Sequence, residues 1–246
     1  MIYILFFLIA LTSMIMLLYF DVNFIMSFLI MFIILLVSNY IVGYIISKMR
    51  RKVLYSDCDP ERYLKMLDNQ EKRFHSKPRI VNYLAVNRAA GYILLGDYQT
   101  AKEYLEGIDP SYLSDKNGSF LAYTINLIQC YYELGETDKA EVLYETSLVR
   151  LCPLEKRLKK SVEILIGERY YYLKKYDLSY NHLKNQLDYD LSKTQYLGVL
   201  YRLAQMDVIN GAREQAIEKY KKIAKFGNKL GIVKASQKML ESMEII

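Results

Sequence analysis

The 246-residue sequence predicts an all-α protein, with an N-terminal apolar helical hairpin followed by a larger array of paired helices. Three observations predict this class. Two stretches of about 20 apolar residues lie close together at the N-terminus. After residue 47 the apolar residues recur mainly at the i, i+3, i+4 spacing of helices, without the alternation typical of strands. A sequence pattern in this second part returns about every 39 residues, which is typical of stacked helical repeats.

The predicted hairpin consists of residues 2–20 and 24–46, which are separated by the polar break Asp21-Val22-Asn23. As a helix, each segment is long enough to cross the ~30 Å hydrocarbon core of a bilayer. Asp and Asn favour tight turns and are costly in lipid, so the sequence predicts two antiparallel transmembrane helices within residues 1–47. A cleaved signal peptide is the alternative, but the segment has neither a basic N-terminal region nor a small-x-small cleavage site.

A run of basic residues directly follows the second apolar segment, whereas residues 1–47 contain no Lys or Arg. The run consists of Lys48, Arg50, Arg51 and Lys52. Because positive charges stay on the cytoplasmic side, both termini and the helical array are predicted to lie in the cytoplasm, on the inner face of the cell membrane. The same run could bind anionic lipid headgroups, although setting the topology is by itself a sufficient role for it.

One polar side chain, Asn39, lies deep within the second apolar segment. It could bond a backbone carbonyl, lie near the headgroups, or face a transmembrane helix of a partner protein. Association with other transmembrane proteins is therefore an open possibility at the level of sequence.

The charge of the remaining chain is ordinary. Residues 53–246 contain 29 basic and 26 acidic residues, so they contribute +3 to the total of +6. This balance lacks the basic excess of a nucleic-acid-binding domain, and no nucleic-acid partner is predicted.

The candidate chemical residues are few and scattered. The three cysteines are Cys58, Cys130 and Cys152. An odd number without a C-x-x-C spacing predicts inert structural thiols and no metal site. His75 and His182, the only histidines, are too far apart in sequence to suggest a ligand pair. Since no H-E-x-x-H, G-x-S-x-G or Gly-rich phosphate loop occurs, the sequence predicts neither a cofactor nor an enzyme.

The part after the hairpin is predicted to contain two regions. Residues 48–79 form a basic juxtamembrane segment and a linking helix, which opens at Asp59-Pro60 and closes at Pro78. Residues 80–246 form the repeat domain. Its aligned segments are 82–108, 121–147, 161–186 and 200–225, and an amphipathic capping helix follows at 231–244. A single helix pair cannot bury its own apolar face, so about four pairs are expected to stack.

These segments share a set of small and aromatic residues. The residues are Ala89, Tyr92, Gly96-Asp97-Tyr98, Ala101 and Leu105 in the first; Leu127, Tyr131, Gly135, Ala140 and Tyr144 in the second; Ile166-Gly167, Tyr170, Tyr176, Ser179 and Leu183 in the third; and Leu203-Ala204, Gly211, Ala216 and Tyr220 in the fourth. The pattern resembles the tetratricopeptide repeat (TPR) family. Small residues would let the two helix axes approach closely, and the glycine would supply the left-handed conformation that ends the first helix.

Three positions depart from the family pattern. Arg88 stands where Leu is usual, Lys174 replaces the turn glycine of the third segment, and Asp207 occupies the usual Tyr position of the fourth. The period of 39 also exceeds the usual 34, and the first linker, residues 107–118, accommodates part of the difference.

The resemblance implies a concave groove lined by the first helix of each pair. In this family an Asn on that face often holds the backbone of a ligand, and Asn87 and Asn126 occupy equivalent positions one period apart. The other groove positions would be Gln129, Glu133, Glu168, Tyr171, Tyr172, Arg202 and Gln205. Alternatively, the two Asn side chains bond locally within the array. The basic clamp that some members use for C-terminal carboxylates is not matched, so an internal peptide segment or a protein surface is the expected ligand.

The sequence thus predicts a membrane-anchored interaction module or scaffold that presents a TPR-like groove to a cytoplasmic protein or peptide. A peptide-responsive regulator of the TPR type is the alternative, and an enzyme with a site between subunits has no residue in its favour. The abundance of Ile, Lys, Tyr and Asn without Trp suggests an AT-rich bacterial genome. The overall plan resembles the small membrane-anchored TPR proteins of such bacteria.

Overall fold

The structure is a computed structural model that describes residues 2–20, 23–74, 77–149 and 156–244. The described residues form twelve α-helices with short helical turns between some of them, and they contain no strand. The all-α prediction is therefore confirmed. The chain divides into two compact units, residues 1–52 and residues 53–246.

The first unit contains helix α1, Ile2–Tyr19, and most of helix α2, Phe24–Tyr55. Among the described residues, α2 is the one helix both long and apolar enough to cross a membrane, and Phe6–Tyr19 is a shorter apolar helical stretch. Most apolar side chains of this unit are exposed, for example Ile25 at 67%. A soluble core would bury such side chains, so their exposure suits an apolar surrounding.

Several small side chains are buried in this unit. They are Ala10, Ser27, Ser38 and Val42. Ser38 Oγ donates to Ile34 O at 2.6 Å, and Asn39 Nδ2 donates to Leu35 O at 2.9 Å. Asn39 therefore bonds a backbone carbonyl, which was one of its three alternatives, and the carbonyl belongs to its own helix; its side chain is exposed. Of the predicted turn, Asp21 and Val22 lie outside the described residues.

Helix α2 continues beyond residue 46, where the predicted apolar segment ends, to Tyr55. The segment after residue 46 contains Lys, Met, Arg and Leu, which are good helix formers, and no Gly or Pro to stop the helix. After the helix ends at Tyr55, Cys58 adopts a left-handed conformation with φ 54°. Asp59 N then donates back to Val53 O in the last turn of the helix at 3.0 Å. The last residues of α2 belong to the second unit, which begins at Val53.

After the end of α2, the second unit continues with α3, Pro60–Phe74, and then with four helix pairs. The pairs are α4 Pro78–Leu95 with α5 Tyr98–Glu106; α6 Ser119–Glu133 with α7 Thr137–Leu143; α8 Lys156–Tyr172 with α9 Tyr176–Gln186; and α10 Lys193–Ile209 with α11 Arg213–Phe226. A 3-10 turn, Pro110–Tyr112, lies between the first two pairs, and a π-helical turn, Tyr144–Leu148, extends α7. Helix α12, Gly231–Glu244, completes the unit.

The turn inside each pair contains one residue in the left-handed conformation. These residues are Gly96, Gly135, Lys174 and Gly211, with φ of 81°, 77°, 58° and 74°. In each turn the residue after it donates its N–H to a carbonyl five residues earlier, as Asp97 N does to Tyr92 O at 2.9 Å. This is the bond that ends a helix in the Schellman manner. The third pair keeps the same turn although Lys174 has a Cβ, which makes that conformation unfavourable.

The small residues of the sequence pattern lie where the two helices of each pair touch. Ala89, Ala101, Ala140, Ala204 and Ala216 are all fully buried. In the third pair, Ser179 Oγ donates to Gly167 O at 2.8 Å, so one helix bonds directly to the backbone of the other. A Cβ at Gly167 would lie 2.5 Å from Leu183 Cδ2, which leaves no room for a larger residue.

Two of the departures from the repeat pattern are buried charges with partners. Arg88 of α4 bonds to Asp68 at 2.8 Å and to Glu71 at 2.5 Å, both on α3. Asp207 of α10 pairs with Lys219 of α11 at 2.6 Å. The unusual residue types therefore tie helices together, and α3 packs on the first pair as part of the second unit.

The last helix of the second unit packs against the first pair. A Cβ at Gly231, the first residue of α12, would lie 2.2 Å from Leu95 O at the end of α4, so only glycine allows this approach. The loop before α12 bonds to the chain after α2, with Lys229 N donating to Cys58 O at 3.1 Å and Asn228 Nδ2 to Asp57 O at 2.8 Å. The two ends of the second unit are thus held together.

Candidate ligand-binding cavity

A partly open cavity of about 180 Å³ lies at the centre of the second unit. The first helix of every pair contributes to its wall, together with the residues that end α2. The lining consists of Leu54 and Tyr55; Ala90, Ile93 and Leu94 of α4; Ile125, Asn126 and Gln129 of α6; Ser161, Ile164, Leu165 and Glu168 of α8; and Thr194, Gln195, Gly198 and Val199 of α10. We call this space the concave cavity. It exists only when all four pairs are assembled.

A smaller cavity of about 110 Å³ adjoins it. Both cavities are lined by Tyr55, Asn126 and Gln195, and the smaller one also reaches Tyr63 and Asn87. The two predicted Asn residues therefore face neighbouring spaces, and Asn126 lies between them.

The two Asn side chains also bond within the array. Asn87 Oδ1 accepts from the hydroxyl of Tyr63 at 3.0 Å, and its Nδ2 donates to Tyr83 O at 2.7 Å. Asn126 Nδ2 donates to Val86 O on α4 through a long contact of 3.5 Å. Both the oxygen and the nitrogen of the Asn87 amide thus have a partner, whereas Asn126 keeps its amide oxygen and most of its donor capacity for a ligand.

Gln195 and Ser161 are held in place at the opposite wall of the concave cavity. Gln195 closes a capping box with Ser192 at the start of α10, and its Nε2 donates to Ser161 Oγ at 3.2 Å. Thr194 Oγ1 donates to Leu54 O at 2.7 Å, which fixes the end of α2 against α10. Capping thus positions this wall.

Beside the cavity, most of the other predicted groove residues form one internal cluster. Arg202 lies at its centre, with its side chain only 5% exposed. Its guanidinium donates to Glu133 Oε1 at 2.8 Å, to the Tyr172 hydroxyl at 2.7 Å and to Gln205 Oε1 at 2.8 Å. It also lies over the ring of Tyr171, 4.4 Å from the centroid. We call Arg202, Glu133, Glu168, Tyr171, Tyr172 and Gln205 the Arg202 cluster.

The structure thus closes part of the predicted groove. Glu133, Tyr172 and Gln205 bond to Arg202, and Tyr171 packs its ring against the same guanidinium, so these side chains have partners within the protein. The reason is electrostatic, since a guanidinium removed from water must be paired with carboxylates and hydrogen-bond acceptors.

Glu168 belongs to both the Arg202 cluster and the wall of the concave cavity. Its carboxylate lies 3.6 Å from Arg202 and lines the concave cavity, and its side chain is 14% exposed. Burial raises the pKa of Glu168, and nearby Glu133 adds to the rise, whereas Arg202 opposes it. Removal from water also raises the pKa of the Tyr172 and Tyr98 hydroxyls, and the nearby charges of Glu133 and Glu168 add to the rise.

Repeat spacing explains why these residues meet. Arg202 occupies the repeat position of Asn87 and Asn126, since the offsets along the array are 39, 39 and 37 residues. Gln129, Glu168 and Gln205 likewise occupy one equivalent position. Equivalent positions lie on the same face of successive first helices, so the cavity and the cluster are two parts of one surface.

Several residues of the site were missed by sequence reasoning. Gln195 lies just before the fourth aligned segment, and extending that segment by two turns could have found it, whereas Ser161 begins the third segment but was not singled out. Tyr98 belongs to the repeat pattern, but it begins α5, the second helix of its pair, and its nearness to the cluster depends on packing. Leu54 and Tyr55 gave no signal, because they follow the long apolar segment and reach the cavity only through tertiary packing.

The basic run lies on the surface of α2. Lys48, Arg51 and Lys52 are exposed and share one helix face, and Arg50 is half-buried. Their placement is compatible with either contact with headgroups or a role in topology alone.

Two cysteines and one histidine lie among the described residues. Cys58 and Cys130 are fully buried, and burial raises the pKa of the Cys130 thiol to about 12. His182 contacts Glu163 O at 2.9 Å and lies at the helix surface. Cys152 and His75 lie outside the described residues. Among the described residues no group of three or more His, Cys, Asp or Glu side chains could hold a metal ion.

Comparison with known proteins adds no relative: no protein-family model, curated protein or solved structure matches this chain. The geometry of the concave cavity therefore stands alone as the basis for a function.

Proposed function

We propose that the protein is a membrane-anchored protein–protein interaction module of the TPR type, in which the concave cavity holds part of a cytoplasmic protein or peptide partner. One observation carries the proposal: the first helices of all four pairs contribute to a single partly open cavity with apolar walls and a few polar groups. Binding sites of globular proteins typically have this character. The left-handed turns and the buried small residues of the pairs support the family assignment.

The proposed anchor comprises both apolar helices, with both termini and the second unit in the cytoplasm. The length and apolar surface of α2, together with the exposed basic residues near its end, support this topology. Reporter fusions at the two termini test it. Both reporters are expected to be active in the cytoplasm, and an external N-terminus would show that α2 alone spans the membrane.

The cavity can be filled without disturbing the fold. A Cβ at Gly198 would meet no atom within 4 Å, and Gly198 lines the concave cavity. Gly198→Leu should therefore fold and block the cavity, and Gly198→Ala is the matched control that adds only one carbon. Crosslinking in intact membranes should give a partner that the wild type and Gly198→Ala retain and Gly198→Leu loses. The same crosslinked products from all three proteins would contradict the proposal.

A peptide-responsive regulator is the alternative function, and one contact favours it. Leu54 and Tyr55, which end α2, form part of the cavity wall. A bound peptide would therefore touch the segment that follows the membrane helix. Amide hydrogen exchange of residues 53–59 in the detergent-solubilised protein should slow on peptide binding if this segment responds. Unchanged exchange with a saturating peptide would favour the simple scaffold.

A further inference from the structure

We propose that the concave cavity binds the free amino terminus of a peptide whose first residue has an apolar side chain between leucine and phenylalanine in size. This inference rests on the proposed function, because it takes the cavity as the partner site. It adds the chemical class of the group that is bound.

The first argument is charge. The Arg202 cluster contains two carboxylates, Glu133 and Glu168, and both form their ion pairs with the single guanidinium of Arg202. These three charges sum to −1 in a region largely removed from water. A buried charge without full compensation is unfavourable, so a cation that enters beside the cluster would be attracted.

The second argument is that the two carboxylates are bound unequally. Glu133 accepts a hydrogen bond from Arg202 at 2.8 Å. Glu168 lies 3.6 Å from the same guanidinium, beyond ordinary hydrogen-bond distance. The uncompensated charge therefore resides mainly on Glu168, and Glu168 is the member of the pair that lines the cavity.

The third argument is size and polarity. An apolar cavity of roughly 150 Å³ is known to hold a benzene molecule, and the concave cavity measures about 180 Å³. Its wall includes Ile93, Leu94 and Val199, which suit one aliphatic or small aromatic side chain. A hydrated inorganic cation would gain nothing from such walls, whereas an amine with an apolar body would be bound at both ends.

The fourth argument distinguishes an amino terminus from a lysine side chain. Gln129 makes no hydrogen bond within the described part of the chain, and the amide of Asn126 has only its one long contact. In an N-terminal residue the ammonium, the apolar side chain and a peptide group all surround one Cα. Glu168, the apolar wall and the two amides can bind these three groups together. A lysine side chain presents its ammonium at the end of a linear chain without a peptide group beside it.

The test uses the full-length protein in detergent micelles and isothermal titration calorimetry. The first probe is the tripeptide amide Leu-Gly-Gly, and the second is the same peptide with an acetylated N-terminus. The third is N-acetyl-Gly-Lys-Gly amide, which carries the ammonium on a side chain. We expect the free tripeptide to bind about tenfold or more tightly than either acetylated peptide, since these lack a charge-assisted bond to Glu168 at the N-terminal position.

A pair of variants on one helix sharpens the test. Glu168→Gln should weaken binding of the free tripeptide by about tenfold or more and should abolish its advantage over the acetylated form. Glu163→Gln is the matched control, because it makes the same change on α8 at a side chain that faces His182 and does not line the cavity. It should leave binding unchanged.

Three outcomes would overturn the inference. They are equal binding of the free and acetylated tripeptides, preference for the lysine peptide, and absence of heat with all three peptides. The comparison of the free and acetylated peptides on the wild type needs no variant, so it decides the matter even if Glu168→Gln folds poorly. If Gly198→Leu removes the crosslinked partner while Glu168→Gln retains it, the amino-terminus inference fails and the proposed function stands. If neither variant affects the partner, the proposed function fails as well.

Discussion

Asn126 and Arg202 occupy the same repeat position on one concave surface, yet they serve opposite purposes. Asn126 lies between two cavities and has a single long bond to the array. Arg202 is buried and fixes α6, α8 and α10 to one another through Glu133, Tyr172 and Gln205. The comparison teaches that stacked repeats can divide one face between a part that remains open and a part that holds the stack together. Glu168 lies at the border of the two parts.

The largest change in stability should come from disrupting the Arg202 cluster, which is the closed part of this surface. Arg202→Met would leave Glu133 and Glu168 buried without their cation, and removal of one partner from a buried ion pair costs about 3–5 kcal/mol. Urea unfolding of the detergent-solubilised protein, followed by near-ultraviolet circular dichroism of its tyrosines, measures the loss. Lys139→Met is the control, because the exposed pair of Lys139 with Glu136 should contribute below about 1 kcal/mol. Equal losses from the two variants would contradict a structural role for the cluster.

A smaller change, a gain in stability, is expected from Glu168→Gln, and the size of this gain should depend on pH. The pKa of Glu168 is raised by burial, so the folded state favours the protonated form while the unfolded carboxyl ionises near its usual pKa of about 4.3. The contribution of Glu168 to the stability of the wild type is therefore lost as the pH rises from about 4.3 through the pKa of Glu168 in the folded state. Arg202, Glu133, Tyr172 and Tyr98 are the titratable groups near Glu168, and the variant leaves them all in place.

Measured by urea unfolding, Glu168→Gln should match the wild type near pH 4 and be the more stable protein at pH 7.5. Glu163→Gln serves again as the control, since its surface position should give no comparable gain. A wild type that is more stable than Glu168→Gln at pH 7.5 would show that Arg202 satisfies Glu168 after all.

Within the open part, Gly198→Ala should stabilise the protein by about 0.5–1 kcal/mol, because alanine replaces glycine within a helix and its Cβ meets no neighbour. The opposite result is expected for Gly167→Ala, whose Cβ would lie 2.5 Å from Leu183 Cδ2. Thermal unfolding of the two variants side by side measures the contrast. A loss of stability in Gly198→Ala would indicate that this wall is more tightly packed than its cavity suggests.

The smallest effect on stability is expected at Asn126. Asn126→Ala removes one long hydrogen bond, so it should change the free energy of unfolding by less than about 1 kcal/mol. The same variant should nevertheless weaken binding of the Leu-Gly-Gly amide in the calorimetric titration. If Asn126→Ala destabilises the fold as strongly as Arg202→Met, the two equivalent positions do not differ in the way described here.

Much of the second unit could be predicted from local sequence signals. Periodic apolar residues predicted the paired helices, and Gly96, Gly135 and Gly211 marked three of the turns. The remaining turn, in the third pair, was placed correctly at Lys174 because the surrounding sequence pattern outweighed one unfavourable residue. These features depend on residues close together in the chain, so a single sequence contains enough information to find them.

The features that were not predicted depend on distant contacts or on missing stop signals. The extension of α2 to Tyr55 was missed because the run of apolar residues ends near residue 46, whereas the helix continues for nine more residues. The closure of the Arg202 cluster joins Glu133 to a residue 69 positions away, and the presence of Tyr55 in the cavity wall depends on how α2 ends. Residue type identified most members of the surface, but only three-dimensional packing separated its open and closed parts.

The contact between α12 and the end of α4 has a consequence for how the second unit unfolds. Linear repeat arrays can fray from their terminal repeats, because each repeat touches only its neighbours. Here the last helix meets the first pair at Gly231 and Leu95, and Asn228 bonds to Asp57 across 171 positions of sequence. Neither end is free to peel away alone, so the unit should melt in one cooperative step. Contacts of such long range also favour slow folding, which should be completed only after the C-terminal helix has been synthesised.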